Sequence, residues 1–189
     1  MKKILFSFLL TGFLLTGLNT FSQSNIFIFF EPPADPAATV PGESISKDHL
    51  NETELQSVSS GFSNAVTFSS TSGTSVGKAV FSKISFSKPI GKSSAALLRA
   101  LCTGTRFNKV EIRYYNTSGT LKPTKYLIMI LEQVFVSGIE HSGSGGDKPA
   151  ESISLNYGKI TLEYYELDAT GINKLVGITS WNTVTNTFK

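Results

Sequence analysis

Apolar and polar residues alternate along most of this chain with the period of two that a half-buried strand requires. Residues 110–115 set Val110, Ile112 and Tyr114 against Glu111, Arg113 and Tyr115. Residues 152–157 place Ile153, Leu155 and Tyr157 on one face, and residues 159–165 repeat this with Ile160, Leu162 and Tyr164. Residues 79–87, AVFSKISFS, divide into Val80, Ile84 and Phe86 against Phe81, Lys83 and Ser85, and Pro89 ends that strand. Two runs are apolar on both faces. One is 26–30, IFIFF, closed by Glu31-Pro32-Pro33; the other is 126–136, interrupted only by Glu132 and Gln133. The first predicts a buried strand and the second the centre of a sheet. Residues 55–68 predict a strand pair or one bent strand, with Val58, Phe62, Val66 and Phe68 turned inward. A last strand is expected over 175–181.

Helical spacing occurs once. Leu97, Leu98 and Leu101 form one stripe in 95–102, AALLRALC, which predicts a short helix packed on a sheet. Ser93 or Ser94 can cap its free amides, and Gly104 ends it. The punctuation between strands is turn chemistry: SSTSGTSVG at 69–77, a hairpin loop at 116–124, and SGSGG at 142–146. Asn156, Gly158 and Lys159 predict a turn or bulge. Residues 31–53 hold Pro32, Pro33, Pro36 and Pro41 with little apolar content, and a loop of that length is usually functional or disordered. The sum is about eight to ten short strands, one helix and no internal repeat. This describes an all-β barrel or sandwich with a helix on its side.

The first 22 residues do not belong to that domain. Met1-Lys2-Lys3 is a charged start, residues 4–18 are an apolar run, and Thr20-Phe21-Ser22 is a cleavage site that leaves Gln23 as the new first residue. The apolar run is short of the roughly 20 residues of a spanning helix, so the membrane is engaged only through this signal peptide before cleavage. An uncleaved anchor is the alternative. No cysteine lies near the cleavage point, which argues against a lipid anchor. The expected organisation is a signal peptide at 1–22 and one domain at 23–189, secreted or periplasmic. Loss of Lys2 and Lys3 takes the net charge from +3 to +1. No basic stripe remains, which speaks against nucleic acid as a partner. The 14 Phe and 6 Tyr favour strands over helices.

Candidate chemistry is thin. Cys102 is the only cysteine, so no intramolecular disulfide forms, and its place in the leucine stripe predicts a small core residue. Asp48-His49 lies near Glu43, Glu52 and Glu54, but one histidine among scattered carboxylates lacks metal-ligand spacing and predicts a solvated loop. Gly91-Lys92-Ser93 ends like a phosphate loop, yet Phe86 stands where the first glycine must be. Ser142-Gly143-Ser144-Gly145-Gly146, flanked by His141 and Asp147, is near a nucleophile elbow, but a strand follows where a helix is needed. A glycine loop between strands accounts for it better, and neither catalysis nor a cofactor is expected.

Residues 77–107, GKAVFSKISFSKPIGKSSAALLRALCTGTRF, and 126–166, YLIMILEQVFVSGIEHSGSGGDKPAESISLNYGKITLEYYE, resemble the haemolysin-coregulated protein (Hcp) family. The series Leu-Glu-x-Val-x-Val-Ser, Ser-Gly-Ser-Gly-Gly-Asp and Glu-Ser-x-Ser-Leu-Asn-Tyr-Gly-Lys-Ile is highly specific, and the likeness covers nearly all of 23–189. The resemblance implies a β-barrel of two packed sheets with one short flanking α-helix. It implies self-association into homo-hexameric rings that stack as the inner tube of a type VI secretion machine, with a lumen that carries or stabilises effector proteins. It makes the loop at 41–54, with Gly42, Glu43, Ser44, Asp48 and His49, the ring-stacking arm. Phe62 stands where many relatives carry tryptophan. The export signal is the larger departure, because tube subunits leave through the machine itself. A secreted Hcp-like module that binds a ligand or host surface outside such a machine is the alternative.

Overall fold

The computed structural model describes residues 24–188, except 34, 72, 117–122, 146 and 147. The segment read as a signal peptide, with Ser22 and Gln23 at its cleavage point, lies outside the described residues. Strands β1 (Ser24–Phe30), β2 (Thr53–Leu55), β3 (Ser57–Ser59), β4 (Phe62–Ser69), β5 (Gly73–Phe81) and β6 (Ile84–Pro89) precede the helix α1 (Lys92–Thr103). After it come β7 (Arg106–Asn116), β8 (Thr124–Ser142), β9 (Ala150–Asn156), β10 (Lys159–Leu167), β11 (Asn173–Asn182) and β12 (Thr187–Phe188).

The long strand β8 belongs to both sheets. Its first half lies between β7 and β10, and its second half pairs with β9. The change of partner occurs at Gln133, whose φ is +55°. Gly158 packs against this kink; a Cβ there would meet Gln133 Oε1 at 2.6 Å, so any larger residue would have to displace the Gln133 side chain. One sheet runs β10–β8–β7–β1–β2 and carries β11 and β12 outside β10. The other runs β3–β6–β9–β8. Because β2 passes into β3 through Gln56, the two sheets close around one core. The all-β expectation of two packed sheets with one flanking helix therefore holds.

Alternation explains most of the core. Ile112, Leu131, Ile153 and Leu155 are fully buried, and burial of each such side chain contributes about 1.5–3 kcal/mol. Helix α1 adds Leu97 and Ala100 to this core. Gly104 ends it in the left-handed conformation, φ +63°, as expected of a C-cap glycine. The stripe is narrower than predicted: Leu98 is exposed, and so is Cys102, which is not a core residue. The helix touches the barrel along one side only, so consecutive leucines cannot both face it.

The segment 55–81 departs furthest from expectation. Phe62, Val66 and Phe68 are exposed, and Val58 is half-buried. The strand read over 79–87 is broken at Ser82-Lys83, and Val80 faces solvent. The region 69–77 is turn only in part, since β5 begins at Gly73. The reason is topological. β4 and β5 form a two-stranded sheet of their own and leave the barrel, so among the described residues only the root, at Phe81 on Trp181, is covered by another element.

Candidate functional site

Three features stand out beyond the core, and the first is the loop at 41–54. It does not swing free. Glu43 and Ser44 both donate their N–H to the Glu52 carbonyl, at 3.0 and 2.9 Å. Gly42 lies so close to the opposite limb that a Cβ would stand 2.1 Å from the Asn51 carbonyl carbon. His49, expected in solvent, is only 4% exposed. Its ring stacks on Phe27 at 3.8 Å and meets the edge of Tyr115 at 4.5 Å, while Nδ1 pairs with Glu52 at 3.0 Å. Glu52 is also bound by Arg113, which forks onto Glu111. Hydrophobic stacking plus a carboxylate partner outweighs hydration of this one imidazole. Asp48 stays exposed at the loop surface. Among the described residues, no group of three or more potential ligands could hold a metal ion.

Glu43 ties the loop to the helix. Its Oε1 accepts the Ser93 N–H at 2.6 Å and the Ser93 hydroxyl at 3.1 Å. An anion at a helix N-terminus satisfies free amides and complements the dipole. Ser93 therefore donates to Glu43 instead of capping with its own oxygen, while Ser94 Oγ accepts the Gly91 N–H at 2.9 Å. Gly91 must lack a side chain, since a Cβ would meet the Glu43 carboxylate at 2.4 Å. Behind Glu43 lies a buried pair that sequence reasoning missed. Lys88 and Glu151 face each other across β6 and β9, both at most 1% exposed, with Nζ 2.9 Å from Oε1. Lys88 also reaches Glu43 at 3.3 Å and the Pro89 carbonyl at 3.0 Å, and Ser94 donates to Glu151 at 2.7 Å. Parity carried the signal: Lys88 continues the inward series Ile84, Phe86, and Glu151 the series Leu155, Ile153.

Burial pushes the Glu43 carboxyl up, but the Ser93 amide, Lys88 and the Ser93 hydroxyl outweigh it and hold it below its ordinary value. A depressed folded-state value means that this anchor contributes above the ordinary carboxylate range and is lost as pH falls through the depressed value. Protection of the Ser93 amide against hydrogen exchange, corrected for intrinsic rate, will fall on acidification to pH values below the ordinary glutamate range. The Glu43→Gln variant will show weak protection throughout; unchanged protection in it would refute the anchor.

The second feature is the outer face of the β3–β6–β9–β8 sheet. Ser57, Ser87 and Ser152 stand in one cross-strand row, and Ser59, Ser85 and Ser154 in the next. Ser57 and Ser87 hydroxyls lie 2.7 Å apart, and those of Ser85 and Ser154 3.0 Å apart. Gly138 extends the second row and Glu140 the first. The face carries small, hydroxylated side chains. Both edges of this sheet are open among the described residues. At one side β3 pairs only with β6 and β4 only with β5; at the other, β8 beyond Val136 has run past the start of β7. His141 lies on that second edge, its Nε2 3.3 Å from Glu151 Oε2 and thus aimed at the buried pair, with no hydrogen bond to Ser144.

The third feature is the β4–β5 hairpin. It continues the β3–β6 ladder outward through the Ser82 N–H to Gly61 carbonyl bond, 2.9 Å. An aromatic stack roots it: Phe62 on Phe81, and Phe81 on Trp181 of β11. Beyond that root Val66, Phe68 and Val76 are exposed.

The described residues thus form a barrel with a lateral helix, an open-edged sheet and a projecting hairpin. The chain belongs to the Hcp family, described as type VI secretion system effector, Hcp; the match covers residues 30–164. It is 32% identical to protein hcp1 of Pseudomonas aeruginosa over 89 residues, which are 47% of this chain and 54% of that protein. It is 31% identical to the major exported protein of the same organism over 97 residues, 48% of this chain and 56% of that protein. Each match thus spans about half of the curated relative. Among solved structures, one described as a type six secretion system protein superposes with a TM-score of 0.77 at 27% identity, over 88% of this chain and all of that one. Hcp1 from Salmonella typhimurium, at 19% identity, superposes with a TM-score of 0.67 over 88% of this chain and 99% of its own, and so shares the fold.

Proposed function

We propose that this chain is a structural subunit that closes side by side into six-membered rings, which stack as a tube of the type VI secretion kind. The observation that carries this reading is the β3–β6–β9–β8 sheet with an open edge on either side. The edges differ, so joining one to the other is a head-to-tail contact, which generates a ring when the rotation closes. Each seam pairs backbone groups that an isolated subunit leaves exposed. In the closed ring the serine rows face the lumen, and a small hydroxylated wall suits passage or shelter of effector proteins without tight binding. The hairpin supplies a projecting stacking arm. The loop at 41–54 presents its exposed Ile45, Asp48 and Leu50 at the opposite ring face, while Gly42, Glu43, Ser44 and His49 hold it on the barrel. Function follows from shape, and no reactive side chain is needed.

The pattern of residues 1–22 supports release of this subunit through general export, outside a machine loaded from the cell interior. Light scattering on the purified full-length chain, over a tenfold concentration range, tests the assembly. The expected mass is a multiple of six subunits; a strict monomer at the highest concentration would reject the ring. Intact mass of the exported product is expected to begin at Gln23, and retention of residues 1–22 would reject the export reading.

A further inference from the structure

The β4–β5 hairpin joins the barrel across a weak line. β3 ends at Ser59 and β4 begins at Phe62, while β5 ends at Phe81 and β6 begins at Ile84. Both strands are therefore interrupted at the same level, at 60–61 and at 82–83. Among the described residues, the backbone bond that crosses this level is Ser82 N–H to the Gly61 carbonyl, 2.9 Å. Beside it opens a cavity of about 230 Å³, lined by Phe81, Ser82, Lys83, Asn156, Tyr157 and Thr183, so close packing does not wedge the break. A short interruption of paired strands next to open space can absorb a change of backbone angle, as a hinge does. Whatever fixes the angle of the hairpin must reach it from another element.

The end of the chain reaches it. Asn182 Oδ1 accepts the N–H groups of Val184 and Thr185, at 3.0 and 2.9 Å, and Asn186 takes φ +56°, which asparagine tolerates. The chain thereby turns back, and β12 sets Phe188 opposite Trp181. Four rings then stand in a row. Phe188 meets Trp181 edge-on at 5.0 Å, Trp181 stacks on Phe81 at 6.1 Å, and Phe81 lies 5.3 Å from Phe62. These are the separations of favourable aromatic pairs. The row runs from the C-terminal strand pair to both strands of the hairpin root. A second tether runs beside it. Thr183 donates its N–H to the Gly158 carbonyl at 2.9 Å and its hydroxyl to the Tyr157 carbonyl at 3.0 Å, and the Tyr157 hydroxyl donates to the Ser82 carbonyl at 3.1 Å. Among the described residues nothing accepts the buried indole N–H of Trp181, so ring contacts and not a hydrogen bond place it. We infer that β11–β12 is a brace, with Trp181 and Phe188 as positioning residues that fix the angle at which the β4–β5 hairpin leaves the barrel. The brace acts within one subunit. Its use rests on the ring reading above, since the arms of a ring point the same way only if every hinge is held alike.

Hydrogen exchange at the hinge amide of the full-length chain tests the brace. Phe188 is 71% exposed, so its replacement leaves the barrel folded. It touches the hinge only through Trp181 and Phe81. In Phe188→Ala, protection of the Ser82 N–H is expected to fall about fivefold or more, as for loss of one aromatic contact, while the Leu131 and Ile153 amides keep parental protection. Phe188→Tyr keeps the ring and is expected to restore the Ser82 value. Trp181 is the only tryptophan, so acrylamide quenching of its emission reports the stack directly. Quenching is expected to rise in Phe188→Ala and to stay parental in Phe188→Tyr. Parental Ser82 protection in Phe188→Ala overturns the brace, and so does parental quenching. An equal loss at Leu131 and Ile153 overturns it too, because Phe188 would then act on the whole fold. If Ser82 responds as expected in a chain that stays monomeric by light scattering, the ring reading falls and the brace stands.

Discussion

Replacing Lys88 by alanine will destabilise the fold by about 3–5 kcal/mol, the range for removing one partner of a buried ion pair. At roughly 2–4 °C per kcal/mol for a domain of this size, the melting temperature falls by about 6–20 °C. The argument is electrostatic. Lys88 is fully buried and lies within 3.3 Å of two carboxylates, Glu151 on β9 and Glu43 on the loop. Without it Glu151 stays fully buried with no lysine or arginine in contact, only the exposed edge imidazole of His141 beside it. A charge left unpaired in a low-dielectric core costs more than the pair contributes over an apolar substitute. The double variant Lys88→Met with Glu151→Leu should therefore recover most of the loss in thermal unfolding. It should not recover the loop. Glu43 would lose its cation, and amide protection across 42–52 would stay low in a barrel of restored stability. A double variant as unstable as Lys88→Ala would show that packing, not charge, makes Lys88 indispensable.

Most of the barrel was legible because most of it obeys one rule. Strands β7, β9 and β10 each turn an alternating apolar series toward the same core, and that alternation is written in the sequence, while β1 is legible as a run apolar on both faces. The reading failed where burial depends on something other than parity. Phe62, Val66 and Phe68 keep strand parity but lie on a hairpin that, among the described residues, meets another element only at its root. An apolar stripe says that something will cover it, not that the same molecule will. Cys102 and Leu98 were placed inward by counting leucines, but the helix buries only Leu97 and Ala100 on that side. Lys88 and Glu151 were hidden for the opposite reason. Each looks like an ordinary surface charge until the register sets residue 88 opposite 151. The serine rows escaped notice in the same way, since each strand contributes only two hydroxyls and the pattern exists only across three strands. Register between distant segments is what alternation alone does not encode.

The open edge of β8 carries the second large effect, and neighbouring prolines will separate its two sides. In an antiparallel strand successive N–H groups point alternately to one neighbour and to the other. Of Glu140 and His141, paired with Ser152 and Glu151 of β9, one donates toward β9 and the other toward the open edge. Proline removes that donor and is tolerated only where it faces away from a ladder. Glu140→Pro and His141→Pro will therefore behave oppositely. One will break the β8–β9 ladder and lower the melting temperature; the other will fold as the parent does but lose its rings. The loss per seam is about 1–3 kcal/mol for an unmet backbone partner, and closure needs every seam of a ring, so the losses accumulate over its circumference. Sedimentation at matched concentration should then find the folded variant at subunit mass where the parent is at ring mass. Rings that persist in both variants would mean that the edge beyond Val136 joins no neighbour, and that the serine face lines no lumen.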